Sequence, residues 1–131
     1  MIRAESLPTP FQTRFTNATH SAICDVPREK GGEGQGFGPH ELLEAALATC
    51  MTMTVQMYAS KHGYPDFTVC CEVRIDRSRP GTVTLHYSLS FEGDLTAEQV
   101  RRLHEAVKGC PVGRTLTGGI SIEPDSEGAS T

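Results

Sequence analysis

The stretch from Ala45 to Ser60 constrains this chain more than any other: 16 residues without one charge, inside a longer segment of helical character. Pro39 suits the first helical position, and Glu41 falls in the first turn, where a carboxylate complements the helix dipole. No breaker follows until Gly63 and Pro65, so the sequence predicts a helix from Pro39 to about His62. A helix uncharged on every face is enclosed by protein and sits at the centre of a fold. With Thr49, Thr52, Thr54 and Gln56 inside it, the uncharged run is too short and too polar to span a bilayer.

The rest of the chain is arranged around that helix. Its 131 residues suit a single domain over 1–131, with no internal repeat and no linker long enough to divide it. The polar end, 123–131, is expected to fray. Large apolar side chains are few among the 37% of hydrophobic residues, so the core is thin and self-association is expected. A net charge of −4, from 12 basic and 16 acidic residues, argues against a nucleic-acid partner. The N-terminal residues lack an apolar stretch, and Pro8 and Pro10 follow at once, so no signal peptide is read. The expectation is a cytoplasmic protein with neither a nucleic-acid nor a membrane partner.

Residues 12–25 alternate loosely as a strand or short hairpin, ended by Pro27, which cannot donate to a ladder. Five of the 13 glycines then fall between Gly31 and Gly38. Their spacing matches neither dinucleotide-binding nor P-loop patterns, so a plain flexible loop is a better reading than a phosphate cradle. Phe67 to Asp76 reads as a strand, and Arg77 to Gly81 as a turn. In the next strand Val83, Leu85, Tyr87, Leu89 and Phe91 share one face. A second helix starts with Thr96 as N-cap and Gln99 three residues on, and Val100, Leu103 and Val107 form its buried stripe. Gly109 stops it, Cys110-Pro111 opens a further turn, and Ile120 to Ile122 reads as a small strand. The fold class is α+β.

Five cysteines carry the chemical interest. An odd number with no CxxC pair is not a disulfide framework, which leaves buried or reactive thiols. Cys50 lies midway along the uncharged helix, among Leu43, Ala46, Leu47, Met53, Thr54 and Met57, where the bland reading is a core thiol. Cys110 follows one helix and precedes a proline that can open another turn, a place that favours the thiolate, the bland alternative being an inert cap. Cys24, Cys70 and Cys71 lie on expected strands and are read as structural. Histidines 20, 40, 62, 86 and 104 are scattered; nothing in their spacing asks for a zinc site from Cys50, Cys110 and His104. No metal or cofactor is expected.

The segment Pro39-His40-Glu41-Leu42-Leu43-Glu44-Ala45-Ala46-Leu47-Ala48-Thr49-Cys50, followed sixty residues later by Cys110-Pro111-Val112-Gly113-Arg114-Thr115-Leu116, resembles the OsmC/Ohr family. The order of elements matches over nearly the whole chain. The resemblance implies an α+β, OsmC-like fold: an antiparallel sheet with a long buried central helix, in an intertwined homodimer with active sites at its interface. It implies a thiol-dependent peroxidase, an antioxidant of the stress response, that reduces organic hydroperoxides. Cys50 would attack the peroxide, Cys110 would resolve the sulfenic acid to a disulfide, and a thiol reductant would reopen it.

Glu41 precedes Cys50 by nine residues, roughly 13 Å along a straight helix, so a family glutamate acting on the site comes from the partner subunit. The sequence departs from the hydroperoxide-specific branch in two places. That branch has its glutamate one position earlier, where this chain has His40. It also has an arginine in a Gly-Gly-Arg-type segment, for which Arg14 is the nearest candidate by position, with Arg28 and Arg114 as others. The alternative function is therefore an OsmC-like ligand-binding or redox-sensing dimer with little turnover.

Overall fold

A computed structural model describes residues 1–125 of the chain. In order it contains β1 (Arg3–Ser6), β2 (Thr13–Thr16), β3 (Ser21–Cys24), α1 (Pro39–Lys61), β4 (Phe67–Asp76), β5 (Thr84–Gly93), α2 (Ala97–Ala106) and α3 (Pro111–Thr117). Two 3-10 turns, Arg28–Lys30 and Val107–Gly109, complete it. The fold is α+β, with α1 as its longest element.

Both ends of α1 are set by local chemistry. Glu41 reaches back to accept from the Gly38 N–H at 2.9 Å, as the N3 acid of a capping box does. At the other end Tyr64 N–H donates to the Ala59 carbonyl (3.0 Å) and Gly63 N–H to Ser60 (3.3 Å). That pair of bonds is a Schellman motif, and it needs the left-handed φ of 67° that Gly63 adopts without strain. Along the helix Leu47, Met51, Val55 and Ala59 are buried, one residue per turn.

The residues form two compact units. The first comprises Met1–Ala46 and Val73–His86. In it β1, β2 and β3 make an antiparallel sheet in which Arg14 stands opposite Glu5 on one side and Ile23 on the other. The start of α1 is tied to β4 there, because the Glu44 carboxylate accepts from Ile75 N–H at 2.9 Å.

The glycine-rich loop of this unit is not the plain flexible segment its composition suggests. It closes on Asp25, which is 2% exposed. The carboxylate accepts from Val26 N–H (2.7 Å), Gln35 N–H (3.1 Å), Glu33 N–H (3.3 Å) and the Gln12 amide (3.3 Å). A Cβ at Gly36 would stand 2.1 Å from the Ile23 carbonyl oxygen, so the loop lies directly on β3. Gly32 packs as closely, since a Cβ there would stand 2.7 Å from the Asp25 carboxylate.

The second unit comprises Leu47–Glu72 and the described residues from Tyr87 on. Its core holds Val55, Leu103, Val107 and Cys110, each under 2% exposed. The start of α2 forms the expected capping box: Gln99 N–H donates to Thr96 Oγ1 at 3.1 Å, and Thr96 N–H to Gln99 Oε1 at 2.9 Å. Beyond Ala106 the chain tightens into the 3-10 turn, and Cys110 begins α3 with Pro111 at the first helical position. Where a short turn was expected, a helix of 7 residues stands.

Two other expectations are corrected. α1 is not covered on every face within one chain, since Met53 and Met57 are 54% and 70% exposed. Ile120 to Ile122 is not a strand; both isoleucines are exposed, with no ladder partner among the described residues. The reading of 123–131 as a frayed end falls, from residue 126 on, outside the described residues. β1 went unanticipated because its alternating side chains, Arg3, Ala4, Glu5 and Ser6, are all exposed and carry no apolar signal.

Candidate active site: a thiol pair between α1 and α3

Cys50 is half-buried on α1, and Cys110 is 1% exposed at the start of α3. The two thiols are hydrogen-bonded to each other. That bond, followed by the Val112 N–H and the Thr54 hydroxyl, holds the Cys50 thiol below its ordinary pKa against the opposing effect of burial. Burial pushes the Cys110 thiol up, and its bond to Cys50 pushes it further, while the Gly113 and Val112 N–H groups offset part of this.

Each element contributes one part. Thr54 lies one helical turn beyond Cys50, so its hydroxyl faces the same side of α1. α2 and the 3-10 turn deliver Cys110, whose N–H donates to the Val107 carbonyl at 3.0 Å. Pro111 then starts α3, leaving the next N–H, that of Val112, without an intrahelical acceptor and free to meet sulfur. Gly113 lines the site: a Cβ there would lie 3.7 Å from Leu47 Cδ1 and 3.9 Å from Cys110 Sγ, in ordinary contact. Paired in this way, Cys50 is the thiol held low and Cys110 the thiol held high.

Glu41 is occupied at the start of α1, bound to Gly38. Arg14, half exposed on β2, approaches Glu5 at 4.0 Å. With Ile23, Gln35, Gly36 and Phe37 it lines a groove of about 440 Å³ in the first unit. Arg28 lies in the first 3-10 turn. Arg114 folds back toward Gly109, where a Cβ would stand 3.5 Å from its Nη2. His104 packs edge-on against Phe91, ring centroids 5.4 Å apart.

The site is a thiol pair held between a long helix and a short one in an α+β chain. The model of the OsmC-like protein family matches residues 32–125, and the chain belongs to that family. Solved structures with the same fold include an organic hydroperoxide resistance protein OsmC from Legionella pneumophila, with a TM-score of 0.65 and 20% identity over 90% of this chain and 88% of that one. An OsmC-like protein from Mycoplasma pneumoniae gives 0.71 and 21% over 90% and 86%. The organic hydroperoxide resistance protein OhrB of Bacillus subtilis gives 0.61 and 19% over 91% and 90%. No curated protein sequence matches the chain. Among the described residues, no helix is long and apolar enough to cross a membrane.

Proposed function

We propose that the protein is a thiol-dependent peroxidase that reduces organic hydroperoxides, with Cys50 as the attacking sulfur and Cys110 as the resolving one. The observation that carries this reading is the pairing of the two thiols, in which Cys50 is held low and Cys110 high. In the first step the Cys50 thiolate attacks the distal peroxide oxygen. The O–O bond breaks, the alcohol leaves with a proton, and Cys50 becomes a sulfenic acid. In the second step Cys110 attacks the Cys50 sulfur, expelling water and forming the disulfide. An external thiol reductant supplies the two electrons that reopen it.

The working unit under this reading is a homodimer, folded as a single domain per chain and acting in the cytoplasm. Leu43, Met53 and Met57 leave apolar surface along α1 that a second copy would cover. Glu41 of the partner subunit would then supply the carboxylate of the site, with Arg14 the first candidate for its cation and Arg28 and Arg114 the others. One observation favours the alternative, an OsmC-like dimer that binds a ligand or senses redox state with little turnover. The groups that lower Cys50 are Cys110, Val112 and Thr54, none of them cationic.

The deciding experiment adds one equivalent of an organic hydroperoxide, and separately of hydrogen peroxide, to the reduced protein. Peroxide loss is followed alongside peptide mapping of a Cys50–Cys110 link. Fast linkage, quicker with the organic peroxide, supports the reductase. Thiols that stay reduced, or oxidise slowly and alike with both, favour the alternative.

A further inference from the structure

The paired strands β4 and β5, with the turn between them, carry a second polar cluster. None of its residues belongs to the thiol site or to the α1 surface assigned above to a second copy. Alternation along the strands puts Val73, Ile75 and Leu85, all half-buried, on one side, and Asp76, Thr84 and His86 on the other. There Asp76, Ser78, Arg79, Thr82, Thr84 and His86 line a cleft of about 250 Å³. All six lie within the first unit.

Two local devices fix this lining. Asp76 Oδ1 accepts from Ser78 N–H at 2.9 Å and from Ser78 Oγ at 2.6 Å, while its Oδ2 stands 3.7 Å from His86 Nε2. Pro80 and Gly81 then turn the chain: Thr82 N–H donates to the Arg79 carbonyl at 3.2 Å, and Gly81 takes the left-handed φ of 76°. Arg79 and Thr82 thereby stand at the two ends of one tight turn.

The charge of the cleft selects its ligand. Residues 73–86 hold Arg74, Arg77 and Arg79 against one acid, Asp76, in a chain of net charge −4. That acid is engaged by Ser78 and His86, whereas the Arg79 guanidinium has no ion pair among the described residues. The lining therefore offers a ligand mainly donors: the Arg79 fork, the Thr82 and Thr84 hydroxyls, and the second ring nitrogen of His86. A cation is poorly served, since among the described residues no three His, Cys, Asp or Glu side chains come together. An arginine fork with hydroxyls beside it matches the oxygens of a phosphate group. The volume lies below the roughly 300–1,000 Å³ of sites for drug-sized molecules, so the ligand is small. We propose that this cleft binds a phosphate group, either free or as the monoester of a small molecule. The site goes beyond the peroxidase reading and does not depend on it.

The test titrates inorganic phosphate into the reduced, isotope-labelled full-length chain, with chloride exchanged to hold ionic strength constant, and follows the amide shifts. Saturable shifts at Ser78, Thr82, Thr84 and His86 are expected. Arg79→Gln should weaken binding about tenfold and Arg79→Lys by less. Arg101→Gln, which removes an arginine paired with Glu98 on α2, should leave binding unchanged. Glycerol phosphate distinguishes the two sources: tighter binding than inorganic phosphate assigns the site to an ester, equal or weaker binding to the free ion, and either supports the site. Shifts that never saturate, or that spread alike over the arginines of β1, β2 and α2, overturn the proposal. So does an Arg79→Gln chain that binds phosphate as before. Amides of this cleft that respond to Zn²⁺ and not to phosphate overturn it as well, giving the Asp76–His86 pair to a cation.

Discussion

At the scale of single residues, the polarity of the thiol pair makes a prediction that needs no peroxide. Cys110→Ala removes the hydrogen bond that most lowers Cys50, leaving Val112 and Thr54 against the effect of burial. The Cys50 pKa should rise, and the pH profile of its iodoacetamide alkylation should move to higher pH. Each unit of rise means about tenfold less thiolate at a pH below both values. Thr54→Val should move the profile in the same direction by less, since Thr54 contributes least of the three donors. An unmoved profile in Cys110→Ala would show that the bond does not set the nucleophile. The two cysteines themselves were legible in the sequence, since both lie in motifs. Asp25 and Glu44 were not. The donors to Asp25 come from residues 12, 26, 33 and 35, a convergence that exists only once the chain has folded.

At the scale of elements, the glycine loop should behave as a clasp around Asp25. Asp25→Asn keeps the size but replaces an acceptor with an amide that turns donor groups toward N–H donors. Amide exchange at Glu33 and Gln35 should accelerate while the α2 amides stay protected. The N–H of Gln35 and its neighbours hold the Asp25 pKa below the usual carboxylate value of about 3.9. A depressed folded pKa means that this contribution is fully present above that usual value and is lost as pH falls through the lower, folded one. Loop protection should therefore be flat from pH 7 to pH 5 and decline only in stronger acid; a decline near neutrality would assign the clasp to another group. α2 offers the contrasting case of an element readable in advance. Thr96 and Gln99 are the N-cap and N3 residues of one first turn, so their pairing is a local matter, and Thr96→Ala should cost about 1 kcal/mol in thermal or denaturant unfolding. The two longer helices, α1 and α2, and the paired strands β4 and β5 were legible for the same local reason. β1, with no apolar residue larger than alanine, and the length of α3, set by packing around Cys110, were not.

At the scale of the whole molecule, one apparent misreading of α1 carries the most information. Its uncharged run predicts enclosure, yet one chain covers only the Leu47, Met51, Val55 and Ala59 stripe and leaves Met57 70% exposed. The two statements agree if a second copy covers the rest. Met57→Glu should then shift the sedimentation coefficient from dimer toward monomer and lower peroxide turnover with it. Whether Glu41 acts across the interface can be separated from whether a dimer exists. Chains carrying Cys50→Ser and chains carrying Glu41→Gln are each expected to be impaired alone. Unfolded together and refolded at equal amounts, about half of the dimers are mixed, and each mixed dimer holds one site with both Cys50 and the partner's Glu41 intact. About a quarter of the wild-type activity should return. If Glu41 served the Cys50 of its own chain, no mixed dimer would contain a complete site, and mixing would restore nothing. The helix itself argues for the first outcome, because nine residues of rise hold the two side chains about 13 Å apart on one axis.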